Sequence, residues 1–196
     1  MTEIRRATRA RIPALTDLLA RAFATDPIVV WTMRPGSGSA EISRFFSLYD
    51  GELVDDGWLW EAGDAAGVAL WVPPGGGPRC AEVDERSTRV AMREELSDDR
   101  GARYEALWDW VSDHLPDEPH WFLDHVGVDP DQQGRGVGGA LVRLGLGWSA
   151  RDGAPAFLET TNPENVPLYK HLGFRLVEEA DAPRDGPHVW FMRSDP

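Results

Sequence analysis

The chain is poor in cysteine, in long apolar runs and in lysine. Cys80 is its only cysteine, which excludes an internal disulfide framework and a cysteine-based zinc cluster. No apolar run approaches the roughly 18 residues that a membrane-spanning helix needs, and no apolar signal core follows Met1. Lys170 is the only lysine. We therefore expect a cytoplasmic protein without a membrane partner.

Positive charge is also scarce. The sequence has 33 Asp and Glu against 20 Lys and Arg, a formal net charge of −13. Because neutralising phosphates requires clustered Lys and Arg, we expect no nucleic-acid partner. The negative charge favours a cationic substrate, although many proteins are acidic for solubility alone.

The length and the order of elements predict one α/β domain over residues 1–196 with a mixed sheet. Helices are marked by apolar residues at helical spacing, and strands by short apolar runs between turn residues. Ser39 is the expected cap of the second helix. The predicted strands cover 3–7, 57–61, 68–72, 120–128, 155–161, 174–178 and 188–192. The predicted helices cover 12–23, 39–53, two segments between 80 and 115, a segment after 139, and 164–171.

A glycine-rich turn over 129–139 joins a predicted strand to a predicted helix. Free backbone N–H groups and the positive end of the helix dipole suit such a turn to phosphate. Glycine allows close approach of a ligand, and Arg135 adds a cation. The alternative is an ordinary tight turn in which glycines only supply positive φ angles.

The turn formally matches G-x-G-x-x-G, and Glu159 lies 25 residues beyond Gly134, near the position of a ribose-binding acid. A dinucleotide-binding oxidoreductase is therefore one candidate. The predicted strand ends at Val128, however, five residues before Gln133, whereas a dinucleotide turn begins almost at the strand end. A kinase-type phosphate loop is excluded because no Gly-Lys-Ser/Thr follows.

Two motifs resemble those of the GNAT superfamily of N-acetyltransferases. Residues Gln133–Gly138 fit its Q/R-x-x-G-x-G/A pyrophosphate loop, and Val126–Pro130 is similar to its fourth strand and following turn. Asn162–Phe174 resembles its second motif, which ends in Leu-Tyr-x-x-x-Gly-Phe. Within the superfamily, the whole chain is similar to the puromycin N-acetyltransferases and their actinobacterial relatives, most weakly between 73 and 115.

This resemblance implies a mixed sheet whose fourth and fifth strands splay apart, with flanking helices. It implies acetyl-CoA as cosubstrate, no metal, and direct transfer of acetyl to a primary amine of a small molecule, an aminonucleoside antibiotic being one acceptor. It fits a monomer or a homodimer. The residues that it assigns to cofactor binding are Val126, Gly127, Val128, Gln133, Gly134, Arg135, Gly136, Val137, Gly138, Asn162 and Asn165.

The same resemblance makes Tyr169 the general acid. A phenol with a pKa near 10 can protonate a leaving thiolate whose conjugate acid has a pKa near 8.5. The alternative role is a core aromatic packed beside Leu168 and Phe174, and Asn162 and Asn165 are equally suited to capping a short helix.

The general base stays open. Phe122 occupies the position at which many GNAT enzymes carry glutamate, so Asp124 and Glu159 are the candidates. Either carboxylate could instead bind a substrate cation or form a salt bridge. Strand alternation predicts that His125 points to the face opposite Asp124.

The N-terminal helices and strand loops are expected to line an aromatic, acid-edged substrate pocket suited to an amphipathic cation. Core packing is the alternative for most of these residues, as it is for Trp121 and Trp148. A non-catalytic module that binds CoA or a partner is also open. The expected pocket residues are Phe23, Asp26, Trp31, Phe45, Phe46, Tyr49, Trp60 and Trp71.

Overall fold

A seven-stranded mixed sheet forms the centre of the structure, a computed structural model that describes residues 2–196. Its strands are β1 (Ile4–Arg6), β2 (Leu59–Ala62), β3 (Gly67–Val72), β4 (Trp121–Val128), β5 (Ala156–Thr160), β6 (Arg175–Asp181) and β7 (His188–Ser194). The spatial order is β1-β2-β3-β4-β5-β7-β6. Within residues 2–196, β4 and β5 are the one parallel pair of neighbours.

Helices cover both faces of this sheet. They are α1 (Ile12–Ala22), α2 (Pro27–Thr32), α3 (Ser39–Leu53), α4 (Gly77–Val83), α5 (Arg89–Ala91), α6 (Ala102–His114), α7 (Val137–Asp152) and α8 (Asn165–His171). Two π-helical turns, Asp84–Thr88 and Met92–Leu96, extend α4 and α5 into one helical segment. None of the helices described is long and apolar enough to cross a lipid bilayer.

The sheet separates two main apolar cores. On one face, α1 buries Leu15, Leu18 and Leu19 in the cluster that contains Leu70 of β3. On the other face, α7 packs against Trp71, which is fully buried. These two layers hold the central strands from both sides, so the position of the strand ends is set by packing on each face.

Most predicted elements are present close to their predicted bounds, with two local differences. The sequence Asp26-Pro27 ends the pattern of α1 but also begins α2: Asp26 accepts hydrogen bonds from the backbone N–H groups of Ile28 and Val29, and proline occupies the first helical turn. The expectation that Ser39 caps α3 is wrong. Gly38 is the capping residue, and its N–H donates to the Glu41 carboxylate at 2.9 Å.

The parallel pair separates along its length. β4 and β5 are in register only at Trp121–Ala156 and Phe122–Phe157, so their carboxyl-terminal parts leave a gap in the sheet. The mixed α/β fold with splayed central strands is therefore confirmed.

Candidate active site

A cavity of about 520 Å³ lies at the gap between β4 and β5. Its lining includes Asp124 and Val126 from β4, Glu159 from β5, and Asn165 and Tyr169 from α8. The fold thus brings the three predicted catalytic side chains, which lie up to 45 residues apart in the sequence, into one cavity.

A β-bulge sets the direction of the acid on β4. His125 lies opposite Leu70 and Leu123 lies opposite Trp71, which leaves Asp124 as the extra residue between these pairs. The Asp124 carboxylate accepts hydrogen bonds from Tyr49 Oη on α3 at 3.3 Å and from the adjacent His125 ring at 2.9 Å. The expectation that His125 points away from Asp124 is therefore wrong, because the bulge interrupts strand alternation.

His125 connects Asp124 to a second carboxylate in the core. Its Nε2 lies 3.3 Å from Oδ2 of Asp50, a residue of α3 that is 0% exposed. Burial lowers the pKa of His125, but the two carboxylates outweigh burial and raise the pKa to about 10. The ring is consequently an imidazolium at neutral pH.

Sequence reasoning missed Asp50. The available signal was its position on the apolar face of α3, where it follows Ile42 and Phe46 at helical spacing and precedes Leu53. A carboxylate on a buried face requires a cationic or hydrogen-bonding partner. That partner, His125, is 75 residues away in the sequence and could not be identified without the fold.

Glu159 has a different environment. Its Oε2 is buried and accepts no hydrogen bond from residues 2–196. Burial, followed by the nearby charge of Asp124, raises the pKa of Glu159 to about 8. A carboxylic acid that titrates near ambient pH can accept a proton in one step and return it in another.

Tyr169 has the surroundings of a core aromatic and also those of a general acid, the two roles that the sequence left open. It is 6% exposed, and its ring lies against Phe174 with centroids 5.9 Å apart. It also lines the cavity, where burial and then the charges of Glu159 and Asp26 raise its pKa above the ordinary value. The phenol therefore stays protonated at neutral pH and can act as a proton donor.

The glycine-rich turn has the open backbone that a phosphate group needs. Gly134 and Gly136 have φ angles of +74° and +81°, and no atom lies within 4 Å of the position that a Cβ would take at either residue. Gly136 precedes α7, and Ala140 donates to its carbonyl, which leaves the N–H groups of 137–139 without helical acceptors.

The other predicted cofactor-binding residues occupy different settings. Gln133 and Arg135 are exposed, and Gln133 Nε2 lies 3.4 Å from the carbonyl oxygen of Val128. Gly127 lies against α1, where a Cβ would be 2.7 Å from Leu19. A Cβ at Gly138 would be 3.1 Å from Val128. Close packing thus requires a minimal side chain at Gly127.

The two asparagines after β5 differ. Asn162 accepts a hydrogen bond from the backbone N–H of Glu164 at 2.9 Å, so its side chain holds the turn before α8. Asn165 is the first residue of α8 and lines the cavity. The capping alternative is therefore wrong for both residues, since Glu164 is the capping residue of α8 and has no side-chain hydrogen bond to the helix.

The predicted pocket residues divide between the two faces of the sheet. Trp60 and Trp71 belong to the α7 core: Trp71 is fully buried, and the ring of Trp60 packs at a tilt against Trp148, with centroids 4.9 Å apart. They are not cavity walls. Trp31 does not line the cavity either, whereas Trp108 of α6 does. The expected residues that line it are Phe23, Asp26, Phe45, Phe46 and Tyr49.

Strand directions decide between the two phosphate-binding folds that the sequence left open. A dinucleotide-binding fold needs a sheet of mostly parallel strands on both sides of the turn. Here β4 has antiparallel β3 on one side, and β5 has antiparallel β7 on the other. The dinucleotide-binding alternative is therefore wrong.

Known proteins of similar sequence include N-acetyltransferases and other acetyltransferases. The chain is 27% identical over 181 residues to an uncharacterized N-acetyltransferase of Schizosaccharomyces pombe, covering 87% of this chain and 73% of that protein. It is 40% identical over 89 residues to a mycothiol acetyltransferase of Thermobifida fusca, covering 41% of this chain but only 28% of that protein. The chain thus spans less than a third of that longer relative.

A crystal structure from Corynebacterium glutamicum, of "histone acetyltransferase HPA2 and related acetyltransferase", superposes with a TM-score of 0.69 at 27% identity. The match covers 100% of this chain and 96% of that one. The model of the acetyltransferase (GNAT) family, whose members use acetyl-CoA as cosubstrate, matches residues 39–174. The chain therefore belongs to the GNAT family and is an acetyltransferase.

Proposed function

We propose that this protein transfers an acetyl group from acetyl-CoA directly to a primary amine of a small molecule in the cavity between β4 and β5. The observation that carries the proposal is the convergence of Glu159 and Tyr169 on this cavity, at the point where the strands separate. An acid that titrates near pH 8 and a phenol that stays protonated are suited to opposite ends of an acyl transfer.

The turn over Gly134–Gly138 binds the pyrophosphate of CoA through its backbone N–H groups, with Arg135 beside it. The pantetheine arm follows β4 past Val126 towards Asn165. A backbone N–H of β4 polarises the thioester carbonyl, and such a donor can contribute about 3–4 kcal/mol.

Proton transfers then follow from the two side chains. The acceptor ammonium gives one proton to Glu159, and the neutral nitrogen attacks the thioester carbonyl. The C–N bond forms, the C–S bond breaks, and Tyr169 protonates the departing thiolate. The second proton shed by the nitrogen restores the phenol. Asp124, held in place by hydrogen bonds from Tyr49 and His125, contributes to ammonium binding.

The acceptor can be identified by a turnover screen. Acetyl-CoA consumption is followed with aminonucleosides including puromycin, aminoglycosides, polyamines, arylalkylamines, amino-acid amides and peptides. We expect amine-dependent release of CoA together with the N-acetylated product. Turnover of puromycin would indicate a role in antibiotic resistance. A protein that binds acetyl-CoA but releases CoA with none of these amines, in wild type and Tyr169→Phe alike, would be the non-catalytic module instead.

A further inference from the structure

The charges around the cavity distinguish among classes of amine. Six acidic side chains line it: Asp26, Asp84, Asp117, Glu118, Asp124 and Glu159. Two of them have arginine partners, since Arg89 lies 2.7 Å from Asp84 and Arg193 binds Glu118. Asp117 is exposed at the rim. Three carboxylates, on three different elements, are left to face a ligand.

One cation, His125, is shared between Asp124 and the buried Asp50. Among the described residues, His125 is the only cation in contact with Asp124, and it is also the only one in contact with the buried Asp50. A single imidazolium thus serves two acidic side chains, one in the core and one at the cavity. Because Asp50 is fully buried and lies outside the cavity lining, Asp124 is the member of this pair that a ligand can reach.

Asp26 is a second carboxylate that lines the cavity, and it has no cationic partner among residues 2–196. Both of its hydrogen bonds, from the N–H groups of Ile28 and Val29, go to Oδ1, so Oδ2 has no partner within residues 2–196. It lines the same cavity as Glu159 and Tyr169, and it contributes to the raised pKa of both. Glu159 itself offers a buried Oε2 without a hydrogen bond from the protein.

From this surplus of carboxylates we infer that the preferred acceptor is a dication, an alkyl chain that carries a second ammonium or guanidinium group besides the reacting amine. The inference rests on the proposed function. Glu159 receives the reacting end, while Asp26 and Asp124 hold the distal cation. Phe23 and Phe46 cover the alkyl chain, and their faces also attract organic cations.

The second cation of the acceptor also changes the pKa of the amine that reacts. In a short diamine the first ammonium loses its proton more readily than in a monoamine, because the second positive charge disfavours the doubly charged form. This lowers the amine pKa towards that of Glu159, about 8. A dicationic acceptor therefore suits both the charge of the cavity and its base.

The test compares acceptors that match in length and differ in charge: 1,4-diaminobutane against butylamine, and 1,5-diaminopentane against pentylamine. We expect kcat/KM for at least one diamine to exceed that of its monoamine by about tenfold or more. Asp26→Asn should reduce this ratio several-fold, because asparagine still caps α2 but lacks the charge. The matched control is Asp99→Asn, which removes a charge near the start of α6, outside the cavity lining, and should leave the ratio unchanged.

Two results would overturn the inference: monoamines that equal or exceed their diamines at both lengths, or a ratio that Asp26→Asn does not change. Efficient turnover of puromycin with no preference for diamines would leave the proposed function intact and reject the dication. A second readout needs no activity. Hexamethonium should bind more tightly than hexyltrimethylammonium by calorimetry, and Asp26→Asn should reduce the difference. If it does so while no amine is acetylated, the dication site stands and the proposed function fails.

Discussion

At the scale of single residues, proton donation to the leaving thiolate depends on one phenol, that of Tyr169. Tyr169→Phe removes the hydroxyl but keeps the ring that packs on Phe174. We expect kcat to fall by about 10²- to 10⁴-fold, the usual contribution of a positioned acid, with little change in the KM values or in thermal stability. Steady-state kinetics with thermal denaturation checks this. An unchanged kcat would restrict Tyr169 to core packing.

A second prediction at this scale concerns pH. The base must be ionised to act, and burial raises the pKa of Glu159 to about 8, so the rate should increase as the pH rises towards that value. We expect kcat/KM for the amine to show an ascending limb near pH 8. The bound ammonium stabilises the carboxylate, so the limb in kcat should lie at lower pH.

The variant Glu159→Gln keeps the shape of the side chain and removes its titration. It should lower kcat by about 10²-fold or more and abolish that limb. Asp124→Asn, by contrast, should mainly raise the KM of the amine and keep the limb, moved to lower pH because the charge of Asp124 no longer raises the pKa of Glu159. If the two variants exchange these behaviours, Asp124 is the base and Glu159 the anchor.

The sequence predicted which side chains form the site better than it predicted where those side chains point. Tyr169, Asp124 and Glu159 could be named from motifs and strand pattern, and all three line the cavity. The orientation of His125 could not be predicted, because a bulge inverts alternation without leaving a sequence signature. Asp50 was hidden for a related reason, since its partner is distant in sequence.

At the scale of elements, the fit of α7 against β3 depends on one glycine. A Cβ on Gly145 would lie 2.1 Å from the ring of the buried Trp71, and this ring cannot move without disturbing the core. We expect Gly145→Ala to reduce the free energy of unfolding by about 1–3 kcal/mol, as overpacking does. Chemical denaturation measures the change.

The same helix supplies the control. Gly147 has no atom within 4 Å of its Cβ position, so Gly147→Ala should gain up to about 1 kcal/mol from helix propensity. Equal effects of the two alanines would contradict the close contact between α7 and Trp71.

Element positions were the most predictable level of this fold. Apolar residues at helical spacing located every long helix, and short apolar runs between turn residues located the central strands, which helices cover on both faces. The helix α2 was missed since Asp26-Pro27 is as typical of a helix start as of a helix end. Trp60 and Trp71 were assigned to the pocket because a strand pattern does not show which face meets which helix.

At the scale of the whole molecule, the net charge of −13 opposes CoA, which is itself a polyanion. Binding then depends on local N–H groups, the dipole of α7 and Arg135 against the overall field. We expect CoA affinity to stay steady or improve as salt rises from about 20 to 200 mM, because salt screens the long-range repulsion more than the local contacts. Calorimetric titration at several salt concentrations measures this, and a steep loss of affinity would contradict it.

Direct transfer of acetyl from acetyl-CoA to an amine within one cavity requires both substrates to be bound at the same time. Initial rates with acetyl-CoA and the amine varied together test this requirement. Direct transfer predicts intersecting double-reciprocal lines, with no acetylated protein when the amine is left out. Parallel lines together with an acetylated protein would show transfer through an enzyme nucleophile and contradict the account.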